Sequence, residues 1–323
     1  MDRKIVGIGI LFIALIAAVW VFQTPNGNLL ATQEKTIKVG YLPIASELDL
    51  FVAMDQGFFK QRGLEVENVK FEKSPDLISA LVAGQIDASG VVGIESIYAA
   101  SARSPNQFKI VQVSLANSNT EIHKIVVLPN SSITNTTQLV NKKVGIFPGS
   151  NMKTLTKLAL KSYLDTSTII FVELTPNLQL EALSSGQIDA LVSLEPIGTL
   201  AEEKLNARVI ETNFLAENLM NPMPTAAALV STKFARESPE KARKYAAAMA
   251  EAAQFIDNNP RGAKQSLVKW LKLDANVAQK VGIYTYVTIN KLDVNLLQQM
   301  ADLLYENKVI EKQGNSTQLI YAG

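Results

Sequence analysis

The sequence predicts an α/β protein of two similar lobes. Each lobe is a mainly parallel sheet flanked by helices, and an N-terminal hydrophobic helix precedes them. Three observations lead there. The nonapeptide at 80–88, ALVAGQIDA, returns at 182–190 as ALSSGQIDA, with seven of nine positions identical. Each copy follows a related pentapeptide, VGYLP at 39–43 and VGIFP at 144–148, so Val39 to Ala80 spans 41 residues and Val144 to Ala182 spans 38. Around both landmarks β-branched runs alternate with stretches of helical spacing, the pattern of βαβ units whose sheets are covered on both faces. Two copies are too few for a solenoid and describe a pair of lobes instead.

The elements follow in chain order. TIKVGYLP is apolar and β-branched until Pro43 stops it, so it is a strand. Leu50, Phe51, Met54 and Phe58 have helical spacing, and LEVENVKF alternates as a strand. Ser74-Pro75-Asp76 supplies an N-cap, a proline at the first helical position and an acid in the first turn. That helix runs through Leu77, Leu81 and Val82 to Gly84, a left-handed stop, and IDASG is the next strand. The second copy repeats the order. KKVGIFPG is a strand, a helix shows Leu155, Leu158 and Ala159 on one face, TIIFVEL is a strand, Pro176 opens a helix ending at Gly186, and IDALVSL is a strand.

HKIVVLP (123–129) leads into the second unit and TAAALVS (225–231) leads out of it. A mostly helical tail follows, with Ser238-Pro239 capping a long alanine-rich helix to Asp257. The domain boundaries expected from this are 36–126 with 228–323 for the first lobe and 127–227 for an inserted second lobe. Two crossing segments between lobes make a natural hinge.

Residues 1–35 are set apart from the fold. Arg3 and Lys4 precede an unbroken apolar run of 18 residues, Ile5–Phe22, and a polar linker follows. A basic start before an apolar run reads as a secretory signal peptide. The run is also close to the minimum for a membrane span, and Trp20 suits the far interface, so an uncleaved membrane anchor is equally expected. Either way the lobes lie on the periplasmic or extracellular side of the cytoplasmic membrane. The three N-x-S/T matches, at Asn130, Asn135 and Asn315, read as unmodified surface loops unless the source glycosylates exported proteins.

Composition narrows the chemistry. The formal net charge is +1 and no block of charge stands out, so no nucleic-acid partner is expected. The absence of cysteine removes disulfides, thiolate metal sites, cysteine nucleophiles and a lipidated N-terminal cysteine. His123 is the single histidine and reads as structural, so no metal and no cofactor is expected. P-loop, dinucleotide and G-x-S-x-G motifs are lacking. Ser150 and Lys153 form an S-x-x-K match at a helix start, but the same pattern recurs at Ser266–Lys269 and neither K-T-G nor S-D-N accompanies it. A serine acyl-transfer enzyme is therefore a remote alternative, and no catalytic residue is assigned.

In open parallel sheets ligands bind beyond the carboxyl ends of the strands. The segments at that edge are IASELD (44–49) and SGVVGIES (89–96) in the first lobe, and FPGSN (147–151) and LEP (194–196) in the second. The expected ligand-binding residues are Ser46, Glu47, Ser89, Gly90, Asn117, Gly149, Ser150, Asn151 and Glu195. Free amides at Gly149–Asn151 and Ser89–Gly90 would hold an anionic group. Glu47 or Glu195 would meet an amine, while Glu95 reads more simply as a helix-starting acid. GQIDA itself reads as a helix-to-strand corner, not a binding motif.

These residues resemble a known family. VGYLP…FVAMDQGFFKQRGLEVENVKF, LISALVAGQIDASG, TTQLVNKKVGIFPGSN, LQLEALSSGQIDALVSLEP and PMPTAAALVSTKF are similar, in order across 36–290, to the exported substrate-binding proteins of ABC importers. The resemblance is to the nitrate/sulfonate/taurine and thiamine-pyrimidine-precursor group. It implies a type II periplasmic-binding fold that closes on a small polar or anionic solute and delivers it to an ABC permease, as a monomer without enzymatic activity. Thiamine-precursor binding or biosynthesis, and a membrane-tethered ligand sensor, remain alternatives. Without a cysteine to lipidate, the protein would be free or held by its N-terminal helix. The cysteine-rich run and essential histidines of eukaryotic pyrimidine synthases are missing, and no helix-turn-helix precedes the lobes.

Overall fold

The computed structural model describes residues 36–323. The expected signal peptide or anchor at 1–35 lies outside the described residues. No helix among the described residues is long and apolar enough to cross a membrane.

Two mixed sheets form. The first contains β1 (Ile37–Tyr41), β2 (Val66–Lys70), β3 (Ala88–Gly93), β4 (Phe108–Ala116), β10 (Met223–Ser231) and β11 (Thr285–Thr288), in the order β11-β4-β10-β3-β1-β2. The second contains β5 (His123–Val127), β6 (Lys143–Ile146), β7 (Ile170–Glu173), β8 (Ala190–Leu194) and β9 (Arg208–Thr212), in the order β7-β6-β8-β5-β9. In each sheet the repeated units supply three parallel strands, β2-β1-β3 and β7-β6-β8. An antiparallel strand then joins each set, β10 on β3 and β5 on β8. Both are the first strand made after the chain crosses from the other sheet.

The twice-written phrase has one structural job in both places. Its glycine takes a left-handed φ, +70° at Gly84 and +73° at Gly186, which a Cβ would oppose. Its Asp then clips the corner to the neighbouring strand. Asp87 Oδ2 accepts from the Lys38 amide at 2.9 Å, and Asp189 Oδ2 accepts from the Lys143 amide at 2.8 Å. Its Ile fills the space that a glycine leaves in that strand. A Cβ on Gly40 would stand 2.6 Å from Ile86 Cδ1, and one on Gly145 would stand 2.5 Å from Ile188 Cδ1. The two isoleucines are buried, and each burial contributes about 1.5–3 kcal/mol. So VG(Y/I) and GQIDA are two halves of one contact, which explains why they recur together.

Helices cover both faces. Ser74–Val82 and Pro176–Ser184 carry a proline at the first turn, as their sequences require. The long helix Pro239–Asn258 packs on the first sheet, where Tyr245 stacks on Phe59 at 5.5 Å and its hydroxyl donates to the Ser89 carbonyl at 2.7 Å.

The crossings differ from the expected boundaries. Residues 126/127 and 227/228 both fall inside strands, β5 and β10, each of which belongs wholly to one sheet. The connections run through 117–122 and 213–222. The buried Asn213 side chain ties them: its Oδ1 accepts from the Ile122 amide at 3.2 Å and its Nδ2 donates to the Ser118 carbonyl at 2.8 Å. Apolar alternation locates strands but carries no signal for which sheet a crossing strand joins.

Candidate ligand cleft

Both sheets turn the carboxyl ends of their parallel strands toward a common cleft. The loop after β1 continues as the short helical turn Ala45–Glu47, and the end of β3 runs into the helix Ile94–Arg103. Facing them are the turn after β6, leading into the helix Ser150–Leu160, and the end of β8. The two edges touch, since the Ala45 amide donates to the Glu195 carbonyl at 3.1 Å.

An inner cavity of about 730 Å³, counting space open to solvent, lies between them. Leu42, Val91, Gly93 and Glu95 line it from the first lobe, and His123, Phe147, Met152 and Leu194 from the second. Tyr284 and the β10 residue Thr225 complete the wall. Ile44, Phe147 and Leu194 separate it from an outer cavity bordered by Tyr41, Lys70, Trp270 and Glu195. In that outer wall Trp270 stacks on Phe51 at 4.9 Å.

The expected site residues separate on this geometry. Ser46 and Gly149 line the inner cavity. The Gly149 amide, however, donates to Glu173 Oε2 at 3.0 Å, so it is engaged within the protein. The contacts expected from the Ser150 and Asn151 side chains lie outside the described residues.

Four of the expected residues are engaged within the protein. Ser89 and Gly90 are not free amides at a helix start: they sit inside β3, Ser89 pairs with neighbours on both sides, and the Glu47 carboxylate covers Gly90. A Cβ on Gly90 would stand 1.8 Å from Glu47 Oε2. Glu47 is fully buried and engaged, accepting from the Leu42 amide at 2.8 Å and the Val91 amide at 3.1 Å. It stitches the loop after β1 to β3. Burial, with Asp49 nearby, raises its pKa well above the ordinary carboxylate value against the pull of those two amides. Asn117 caps the turn at the crossing, its Oδ1 accepting from the Asn119 amide at 2.8 Å, and does not line the cavity.

Glu195 is held as well. It is 2% exposed and lies 3.0 Å from Lys124 Nζ, while Thr199 donates to it from Oγ1 at 3.0 Å. Burial raises its pKa, and Lys124 opposes that rise. Lys124 also meets Glu202 at 2.8 Å. Burial pulls the lysine down, but the two carboxylates outweigh it and keep it protonated.

The residues that face the inner cavity with spare chemistry are Glu95 and His123. Glu95 occupies the first turn of its helix, 5% exposed, and burial pushes its pKa up to about 7. His123 is 3% exposed, its Nδ1 has no hydrogen-bond partner among the described residues, and burial lowers its pKa to about 4. The sequence places Glu95 at the sheet edge, where it could meet an amine, but favours a helix-starting role, and it reads His123 as structural. Glu95 is a helix-starting acid as expected, yet its carboxyl also borders the cavity. A position two residues past β3, at the sheet edge, was the available signal for Glu95. His123 had no such signal, because only the pairing of β5 against β8 turns it inward. No group of three or more acidic or histidine residues suited to a metal occurs among the described residues.

The comparisons with known proteins agree with this architecture. A Bacillus subtilis (strain 168) protein named for aliphatic sulfonate binding is 25% identical over 311 residues, 93% of this chain and 91% of its own length. The crystal structure of the periplasmic aliphatic sulphonate binding protein SsuA from Escherichia coli superposes with a TM-score of 0.70 at 23% identity, covering 88% of this chain and 92% of that one. The alkanesulfonate-binding SsuA from Xanthomonas axonopodis pv. citri, solved with MOPS, gives 0.71 at 18% identity over 88% and 98%. The desulfurization enzyme DSZB also shares the fold, at a TM-score of 0.63 and 14% identity over 88% and 96%. At these identities the structures establish the periplasmic-binding fold and leave chemistry to the residues. The model of the NMT1-like family matches residues 31–272, three-quarters of the sequence, and the chain belongs to that family.

Proposed function

We propose that this protein is an extracytoplasmic solute-binding component of an ABC importer. It captures a small solute between its lobes and presents the closed form to a permease. The observation that carries the reading is the inner cavity, whose wall is drawn from the carboxyl edges of both sheets. A ligand touching both lobes favours the closed state by its difference in affinity for the two states, and only that difference drives closure. The crossings at 117–122 and 213–222, tied through Asn213, supply the hinge, and they set the lobes at 36–116 with 223–323 and at 123–212. The relatives' names make nitrate- or sulfonate-type solutes the first to test.

A binding role is preferred to catalysis. One solved structure of the desulfurization enzyme is a cysteine-to-serine mutant, and this chain has no cysteine. In the inner cavity's wall the titratable side chains are Glu95, His123 and Tyr284, among the described residues. The test is thermal shift of the full chain against nitrate, alkanesulfonates, taurine and aminopyrimidines, with small-angle scattering to follow closure. A saturable rise in melting temperature with compaction is the expected result. If no solute of any class stabilises the protein, the transport reading is wrong.

A further inference from the structure

We propose that an apolar wall divides the closed cleft into two chambers, and that Phe147 in this wall sets how long a solute the inner cavity accepts. The proposal rests on the solute-binding reading and adds a size limit to it, whatever polar group the solute carries.

Among the described residues, Ile44, Phe147 and Leu194 line both the inner and the outer cavity. Each is a half-buried apolar side chain packed against the main core. Ile44 comes from the first lobe, and Phe147 and Leu194 come from the second. The wall is therefore complete only with the lobes together. The bond from the Ala45 amide to the Glu195 carbonyl, at 3.1 Å, joins the residues next to Ile44 and Leu194. Parting the lobes breaks that bond and merges the two cavities. A solute then enters an undivided cleft and meets the wall on closure.

The wall is stiff on its second-lobe side. Leu194 ends β8, paired with His123 of β5, and Lys124 and Thr199 hold the Glu195 that follows it. Phe147 follows β6 directly and precedes Pro148, which keeps its backbone extended. Gly149 then takes a φ of +110°, a turn that a Cβ would oppose, and its amide is tied to Glu173 at 3.0 Å. The turn, and not the solute, aims the ring. A side chain seated against a packed core yields space only at the cost of repacking, so the wall excludes by size.

The internal repeat singles out Phe147 among the three. VGYLP and VGIFP place Leu42 and Phe147 at equivalent positions. Of the two cavities Leu42 borders the inner one, while Phe147 borders both. The copies differ here by the size of one side chain, and the larger stands in the wall. Beyond it the outer chamber offers a second apolar surface. Trp270 stacks on Phe51, meets Tyr41 edge-on at 5.8 Å, and is anchored by its indole N–H, which donates to Asp55 Oδ1 at 3.1 Å. A solute chain that passed the wall would meet this aromatic face.

The test measures two homologous series on the full chain by titration calorimetry: n-alkanesulfonates from ethane- to octanesulfonate, and n-alkylamines from ethyl- to octylamine. The proteins are the wild type, Phe147→Ala and Phe147→Leu. Each methylene that finds apolar space tightens binding about fourfold, the equivalent of about 0.8 kcal/mol. In the wild type that gain should stop at one chain length in whichever series binds. In Phe147→Ala it should continue past that length, and in Phe147→Leu the limit should move less. The limit is read within one variant, so a partly unfolded sample does not shift it. If Phe147→Ala fails to fold, Phe147→Leu carries the test. In a Trp20→Phe background Trp270 is the single tryptophan. Its emission should vary with chain length in Phe147→Ala and stay constant across lengths in the wild type. The same limit in all three proteins, or no limit in the wild type, overturns the proposal and leaves solute capture intact. Loss of all binding in folded variants overturns it too, because Phe147 is then a solute contact and not a limit. If neither series binds the wild type the proposal is overturned, and the solute-binding reading falls with it only if the wider thermal-shift panel also fails.

Discussion

Each lobe buries a glutamate at the edge of the cleft, and the two are satisfied in different ways. Glu47 in the first lobe is fixed by two backbone amides and forms no ion pair among the described residues. Glu195 in the second is ion-paired to Lys124 and hydrogen-bonded by Thr199. A glycine lies against each, Gly90 under Glu47 and Gly198 beside Glu195. The difference teaches that the repeated architecture ends at the GQIDA corner. Beyond it one lobe is closed by hydrogen bonds that leave an excess of buried acid, and the other by a neutralised pair. The first-lobe wall therefore holds carboxyls that burial pushes toward the neutral form, and the second lobe holds an ion pair.

The glycines give the largest break in that comparison. Gly90→Ala drives a Cβ to 1.8 Å from Glu47 Oε2 and displaces a carboxylate that holds two buried amides. The expected loss is about 4 kcal/mol, from overpacking plus orphaned donors. Gly198→Ala meets Ser193 Oγ at 2.8 Å, a lesser clash inside a helix. Alanine's better helix propensity returns about 1 kcal/mol there, so the net change should be near zero. Urea denaturation of the two variants separates these outcomes, and equal losses would refute the asymmetry.

Next in size are the partners of the two acids. Lys124→Met leaves Glu195 buried and unpaired, and about 3 kcal/mol of stability should go. Glu47→Gln removes no ion pair and should cost about 1–2 kcal/mol at pH 5, through one misdirected amide. The sign of its pH dependence follows from the shift. The folded pKa of Glu47 is raised, so above the unfolded value near 4.5 the native state keeps a proton that the unfolded chain releases. Stability then falls as pH rises from that value toward the folded pKa. Glu47→Gln, which cannot ionise, should therefore gain on the wild type between pH 5 and pH 8. A penalty that grows over that interval would show that Glu47 is stabilised as a charge.

The smallest effect sharpens the comparison from the other side. Asp87→Ala and Asp189→Ala cut the same clip in the two lobes, each one side-chain bond to a strand amide. Both should cost about 1 kcal/mol, and the two losses should agree closely. Thermal unfolding of the pair checks whether the corners are as equivalent in energy as they are in geometry.

Much of the fold was legible because local rules govern it. Pro75 and Pro176 open helices, Gly84 and Gly186 end them, and each Asp that follows reaches the start of a strand. The candidate site was legible only as far as the sheet edge. Ser46 and Gly149 do line the inner cavity, but Glu47, Glu195 and Gly90 proved to be engaged within the protein. An exposed acid and a buried, satisfied one are written with the same letter. Their difference lies in partners such as Val91 and Lys124, 44 and 71 residues away along the chain.

By itself the sequence determined two parallel units, their corners and the edge at which a ligand would sit. These depend on contacts within one βαβ unit, where spacing and turn chemistry suffice. Only the tertiary structure decided which sheet each crossing strand joins, which carboxylates are engaged within the protein, and that Glu95 and His123 both line the inner cavity. Those outcomes depend on segments distant in sequence packing side by side, as Glu47 does on Val91 in one lobe and Glu195 on Lys124 in the other.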